Sequence, residues 1–176
     1  EGYVITLQDI TERRKKDEEL RYVAYHDTLT GLPNRKSFYM CLDDLLQHSS
    51  RRNSDHAWAL MFLDLDKFKQ LNDSQGHQAG DEILTAVAEA IQTESRENEM
   101  AARYGGDEFC VILVETALKD GLTAAKRIGT AIERAVEGSG VACSMGLACS
   151  TPETPLDADA LVKQAGAITF GGLLLE

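Results

Sequence analysis

Two short stretches hold residue types suited to chemistry. In Leu63-Asp64-Leu65-Asp66-Lys67-Phe68-Lys69, carboxylates close an apolar run; in Gly105-Gly106-Asp107-Glu108, two carboxylates follow two glycines. An Asp at the end of an apolar strand is either a loop cap or a cation ligand, and Asp64 alone does not decide between them. Asp107 and Glu108 shift the balance, because a hairpin tip lying beside that strand end makes a hard, oxygen-rich site. Such a site suits Mg²⁺, which takes one or two carboxylates and completes its shell with water and substrate phosphate. Gly105 and Gly106 let a bulky substrate approach the backbone and adopt unusual torsions at little cost. Lys69 either sets a point charge on phosphate or is a solvated surface lysine.

These residues need a sheet to bring them together. The continuous apolar run from Ala57 to Leu65 has strand length and reads as a central strand. Met100 to Tyr104 and Phe109 to Val114 flank the Gly-Gly-Asp-Glu tip as two antiparallel strands of a tight hairpin. Val141 to Ser150 reads as a fourth strand. A helix is expected from His77 to Thr93, where Ile83, Leu84, Val87, Ala88 and Ile91 recur at helical spacing, and another from Leu118 to Val136. The order strand, helix, strand, strand, helix, strand is that of a ferredoxin-like α+β fold, an antiparallel sheet with its helices on one face. In that arrangement the first strand neighbours the hairpin, so Asp64 and Asp107 can meet.

Upstream, Gly2 to Leu7 reads as a strand, and Thr11 is placed to cap a helix from Glu12 to Tyr25. The apolar residues of that helix are sparse until Leu20, Val23 and Ala24, so it is expected to be a linker helix able to pair with a copy of itself. Gly31 and Pro33 interrupt helix in the turn-rich segment from His26 to Arg35, and Asn34 can cap the next helix, Arg35 to Gln47. The polar stretch from His48 to His56 reads as a surface loop.

The 176 residues carry 18 basic against 29 acidic side chains, a net charge of −11 that repels polyanions and excludes nucleic acid as an expected partner. With 43% hydrophobic and 27% charged residues, the composition is that of a soluble globular domain. No apolar run approaches the roughly 20 residues that span a bilayer, and no charged-then-apolar leader opens the chain. A cytoplasmic location is therefore expected, with any membrane anchor lying upstream. Cys41, Cys110, Cys143 and Cys149 lack Cys-x-x-Cys spacing and read as reduced thiols.

The segment Arg103-Tyr104-Gly105-Gly106-Asp107-Glu108-Phe109 resembles the signature of the GGDEF domains of diguanylate cyclases. Asp27-Thr28-Leu29-Thr30-Gly31-Leu32-Pro33-Asn34-Arg35, the stretch from Asp64 to Lys69, Asn72-Asp73 and Gly76-His77-Gln78-Ala79-Gly80-Asp81 match the same family in order and spacing. The resemblance places the domain at residues 27–174 and implies a nucleotidyl-cyclase palm. It makes Asp64 and Asp107 carboxylate ligands of Mg²⁺ or Mn²⁺, two ions per site, helped by the Leu65 carbonyl, and gives Glu108 a metal or catalytic role. Asn72 and Asp81 would read guanine. Lys69 and the backbone of Lys67 and Phe68 would hold the phosphates, with Gly105 and Gly106 beside the substrate. The implied reaction joins two GTP into cyclic di-GMP, with pyrophosphate leaving, at the interface of a homodimer. His77 reads as a packing or hydrogen-bonding residue.

Asp9-Ile10-Thr11-Glu12-Arg13 resembles the end of a PAS sensory domain running into a signalling helix. That implies a sensor remnant at residues 1–11 and a linker helix at 12–26, the alternative being an ordinary strand and helix. Arg96-Glu97-Asn98-Glu99 resembles the inhibitory Arg-x-x-Asp site of many cyclases with Glu in the last place. Either cyclic di-GMP binds there as an inhibitor or the residues form a solvated cluster. The segment Leu161 to Leu174 departs from the family, with Gly166 where an Asp is usual and no basic residue after Lys163, so phosphate contacts usual there are missing. Leu175-Glu176 resembles an expression-tag remnant. Three activities stay open: an active cyclase, a weak domain that binds GTP or cyclic di-GMP as a sensor, and a dimerisation module. The intact set of Asp64, Asp107, Glu108, Asn72 and Asp81 favours the first.

Overall fold

A computed structural model describes residues 9–52, 57–150 and 158–167. The expected strand at Gly2 to Leu7, the last part of the expected loop before Ala57, and the terminal Leu175-Glu176 lie outside the described residues. The elements in chain order are α1 (Thr11–Tyr25), α2 (Arg35–Arg52), β1 (Trp58–Asp66), α3 (Phe68–Gln75), α4 (His77–Glu94), β2 (Met100–Gly105), β3 (Glu108–Leu113), α5 (Leu118–Ala135), β4 (Ala142–Ser150) and α6 (Ala158–Ala167).

The four strands form one sheet in the order β2-β3-β1-β4, and every neighbouring pair is antiparallel. This is the ferredoxin-like order read from the sequence, with one correction. Helices cover both faces, not one. Leu63, Leu65, Phe109, Val111 and Leu113 point into a core shared with Leu84, Val87, Ile91, Ile128 and Ile132 of α4 and α5. Leu60, Cys110, Ile112 and Ala148 point the other way, into a second core with Phe38 and Leu42 of α2 and Leu161 and Ala165 of α6. Alternate residues of a strand face opposite sides, so a strand apolar at every position needs cover on both. Residues 58–63 are that case.

Helix α5 lies close on the sheet because its inner face is small: Gly121, Ala124, Ala125 and Gly129 are buried there. A Cβ on Gly121 would come within 3.0 Å of Leu147 on β4. Helix α2 runs to Arg52, beyond the expected end at Gln47. Nothing in Gln47-His48-Ser49-Ser50-Arg51-Arg52 stops a helix, since there is neither Gly nor Pro, and polarity alone does not make a loop. Asn34 caps α2 as expected, its side-chain oxygen accepting from the Ser37 N–H at 3.1 Å. For α1 the side-chain partner is Asp9 and not Thr11: the Asp9 carboxylate accepts from the Thr11 N–H at 2.9 Å. Helix α1 buries no residue and leaves Leu20 68% and Val23 57% exposed. Among the described residues no helix is long and apolar enough to cross a membrane.

Candidate active site

The register of the sheet assembles the first part of the site. Asp64 on β1 lies directly opposite Glu108 on β3 and opposite Ser144 on β4. Opposed residues project from one face, and for these three it is the face that α2 and α6 cover. The Gly106-Asp107 turn then folds back on β1, where the Leu65 N–H donates to the Asp107 carbonyl at 3.3 Å. Gly106 takes φ +39°, with open space where a side chain would sit, so the turn itself asks for glycine there. Gly105 is a different case: a Cβ there would make ordinary contact, 3.6 Å from a Glu108 oxygen.

The structure thus brings Asp64, Asp107 and Glu108 together. Burial, then the charges of Asp107 and Asp66, push the Asp64 carboxyl above its usual range. Burial, then Asp64 and Asp107, push Glu108 up as well, partly offset by Arg35. No described residue forms a salt bridge with any of the three. Oxygen atoms that repel one another, with Arg35 offsetting only part of the charge on Glu108, have the chemistry of a donor set for a hard divalent ion. Among the described residues no group of three or more His, Cys, Asp and Glu side chains is placed to hold a metal ion by itself. An ion held here would need ligands beyond these side chains, such as water or phosphate oxygens, to complete its shell. Asp66 is turned aside, its carboxylate accepting from the buried Ser144 hydroxyl at 2.5 Å.

The second part is the corner that follows β1. Lys67 adopts φ 65° and ψ 12°, a left-handed conformation rare for a residue with a side chain, and begins α3 without a side-chain cap. Among the described residues no side chain caps the first amides of α3, from Phe68 and Lys69, and such amides attract anions. Lys67 and Lys69 extend into solvent beside them. Helix α3 itself was not apparent in the sequence, because eight residues with Asn72 and Asp73 among them do not establish a helical period.

The third part comes from the sharp corner at Gly76, which at φ +88° ends α3 and begins α4. The fold-back presses Asn72 against Gly80, so that a Cβ on Gly80 would fall 2.0 Å from the Asn72 side-chain oxygen. That oxygen is buried and has no hydrogen-bond partner among the described residues. One residue beyond Gly80 along α4, Asp81 opens on a cavity of about 400 Å³ lined also by Leu29, Gln78 and Thr85 but not by Asn72. Leu29 was not anticipated; the signal was an apolar residue within the polar Asp27–Arg35 turn. His77, expected to pack or to hydrogen bond, is exposed at the first position of α4.

Arg103 also escaped the sequence reading as more than part of a motif. Its guanidinium donates to the Gly106 carbonyl at 3.1 and 2.7 Å and pairs with Asp27 at 3.0 Å, while its N–H donates to Pro33. The segment after α1 is thereby tied to the Gly106-Asp107 turn. Burial acts to raise the Asp27 carboxyl, but hydrogen bonds from the Thr30 N–H and hydroxyl and from Arg103 outweigh it and hold the group below its usual range. Asp27→Ala is expected to lower stability at pH 7 by about 1–3 kcal/mol. A group with a lowered folded pKa stabilises above the usual carboxylate range and loses that contribution as pH falls through it. The gap between wild type and variant in urea melts should therefore close on acidification.

Arg96 and Glu99 are brought together, but not as two outward arms. The Glu99 side chain is only 2% exposed, accepts from the Arg96 N–H at 2.8 Å and lies 3.8 Å from the Arg96 guanidinium, whose side chain is 63% exposed. They border a cavity of about 310 Å³ lined by Leu32, Pro33, Gln92 and Met100.

An antiparallel palm-like α+β sheet with carboxylates at the end of its central strand defines the class of this protein. The family model that matches residues 24–169 is described as diguanylate cyclase, GGDEF domain. The chain belongs to the GGDEF family. It is 43% identical over 131 residues to the probable diguanylate cyclase DgcE of Escherichia coli, covering 74% of this chain and 12% of that protein. It is 36% identical over 166 residues to the cyclic di-GMP phosphodiesterase PdeR of Escherichia coli, covering 92% of this chain and 24% of that protein. The chain thus spans a minor part of these relatives' lengths. The crystal structure of the coiled coil and GGDEF domain of DgcB from Caulobacter crescentus in complex with c-di-GMP matches with a TM-score of 0.79 at 30% identity, over 90% of this chain and 85% of that one.

Proposed function

We propose that the domain is a diguanylate cyclase that joins two GTP into cyclic di-GMP across a homodimer interface. The observation that carries this reading is the convergence of three mutually repelling carboxylates, Asp64, Asp107 and Glu108, at the sheet end where α3 begins without a side-chain cap.

Asn72 and Asp81 would orient the guanine, whose N1 and N2 donors suit a carboxylate and whose acceptors suit an amide N–H. The amides after Lys67, with Lys69, would take the phosphates, and Gly106 keeps the turn low enough for them to pass. Asp64, Asp107 and the Leu65 carbonyl would hold Mg²⁺ or Mn²⁺, which supplies activation of the attacking hydroxyl and charge neutralisation on the phosphates. Glu108, on the same face as Asp64, completes the oxygen set around the reacting phosphate. In each half-reaction the 3′-hydroxyl of one GTP would give its proton to solvent as its oxygen bonds to the α-phosphorus of the other, while the bond from that phosphorus to the oxygen bridging to the β-phosphate breaks and pyrophosphate leaves. One domain holds one GTP, so a second must face it. Helix α1, unburied and carrying exposed Leu20 and Val23, would pair with its copy and transmit the state of an upstream PAS-like sensor to that encounter.

Incubation with GTP and Mg²⁺ at high protein concentration tests the proposal. Both cyclic di-GMP and pyrophosphate are expected by chromatography, and the absence of both sinks it. The second reading, a domain that binds nucleotide as a sensor without cyclising it, is favoured by the similarity to a phosphodiesterase over most of the chain and by Gly166. It is the outcome if GTP binds and no product forms.

Arg96 and Glu99 would form the product site in altered form, with Glu99 as the clamp of the loop and Arg96 as the exposed ligand arm able to take a phosphate or base in a bidentate contact. Arg96→Ala is expected to weaken cyclic di-GMP binding by about tenfold or more in calorimetry. An unchanged affinity refutes a site at this loop.

A further inference from the structure

The second core carries a cation that the proposed site has not used. Arg35, the first residue of α2, is solvent-exposed, and its guanidinium carbon lies 4.4 Å from the centre of the Tyr104 ring and 5.8 Å from that of Tyr39. The two phenols are hydrogen bonded to each other at 2.9 Å, and Tyr104 is braced edge-on by Phe38 at 5.7 Å and Phe62 at 5.3 Å. The stack therefore rests on fixed rings and not on a mobile side chain. Tyr104 immediately precedes Gly105-Gly106-Asp107-Glu108, and Asp64 and Glu108 project from the same face of the sheet as the Phe62 and Ile112 side chains that α2 covers.

Arg35 forms no salt bridge with any described residue. One donor of the guanidinium is engaged by the Tyr39 hydroxyl; a guanidinium has five N–H donors in a planar fork that matches phosphate oxygens, so a stacked Arg35 still has donors at the edge of the ring to offer. Basic side chains on the other helix of this face do not compete: within the described part of α6 the only one is the exposed Lys163. We propose that Arg35 is an additional nucleotide-binding residue, presenting its guanidinium to the polyphosphate of the bound nucleotide from the α2 side of the carboxylate cluster.

The proposal rests on the reading of the site as one for a guanosine triphosphate, and the test separates the two. Binding of 3′-deoxy-GTP, which lacks the attacking hydroxyl, is measured by calorimetry with Mg²⁺, alongside guanosine, which lacks phosphate. Arg35→Gln is expected to weaken 3′-deoxy-GTP by roughly tenfold to a hundredfold and to leave guanosine within about twofold, since the base-reading corner at Asn72 and Asp81 lies on other elements. Arg35→Lys, which keeps the charge but not the fork, should recover part of the loss. An Arg35→Gln protein that binds 3′-deoxy-GTP like wild type overturns the proposal while leaving the nucleotide site standing. So does an equal loss for both ligands, which would mark Arg35 as a brace for Tyr104 and nothing more. Wild-type protein that binds neither ligand overturns the nucleotide reading, and this proposal with it.

Discussion

Asp64→Asn is expected to lower cyclic di-GMP production by at least about a thousandfold, because it removes a carboxylate from a set whose cation must supply several kcal/mol to the transition state. The same change should make the protein without metal more stable. In the folded chain the Asp64 carboxyl sits above its usual range through burial and the charges of Asp107 and Asp66. A raised folded pKa means that the native state binds more protons than the unfolded chain in the window just above the usual carboxylate range, so stability falls as pH rises through that window. Asparagine has no charge to repel its neighbours, and at neutral pH the variant should melt above wild type in chelator. The difference should shrink as acid protonates Asp64 in the wild type. Added Mg²⁺ with 3′-deoxy-GTP should raise the melting temperature of wild type and raise that of the variant much less. A variant that retains product formation within about tenfold of wild type would remove Asp64 from the metal set.

That opposition of stability and activity is also why the strand-end carboxylates were legible before any coordinates. Asp64 interrupts an apolar run, and a sequence that places charge at the end of a central strand violates the pattern that would stabilise it. The Gly-Gly-Asp-Glu tip was legible for a similar reason, since a two-residue turn between alternating strands needs glycine at one definite place, Gly106. What the sequence hid depends on contacts distant along the chain. Arg35 and Tyr104 meet only because the second core lays α2 across the hairpin, and Arg103 reaches Asp27 across a separation of 76 residues. Cover on both faces was hidden in a milder way. The run of buried residues in β1 implied it, yet the order of strands and helices suggested one covered face, and the burial pattern is the stronger argument because it reports what each side chain requires. Glu99 shows a third kind of limit: the one-methylene difference from Asp is visible in sequence, but not the inward fold of the carboxylate onto the Arg96 N–H.

Gly80→Ala should separate folding from nucleotide binding most sharply. Gly80 is helical and buried within α4, and its φ is ordinary, so alanine carries no backbone strain and gains about 1 kcal/mol of helix propensity. Against that gain stands the space its Cβ would need, 2.0 Å from the Asn72 side-chain oxygen and 3.1 Å from a ring carbon of Phe68. The first of these is the far end of a flexible side chain whose oxygen has no hydrogen bond to lose, so Asn72 can swing away cheaply. Phe68 must yield by a few tenths of an ångström at the start of α3. The net change in stability is therefore expected to stay within about 1 kcal/mol. The displaced Asn72, however, can no longer present its amide to a base beside Asp81. A site built to hydrogen-bond a base is penalised when its polar group is misplaced, and guanosine binding should weaken by roughly tenfold to a hundredfold. Guanosine is the informative ligand because it reports the base corner without the phosphates. A folded Gly80→Ala protein with wild-type melting temperature and wild-type guanosine affinity would show that Asn72 does not read the base, and the unpartnered oxygen would then require another explanation.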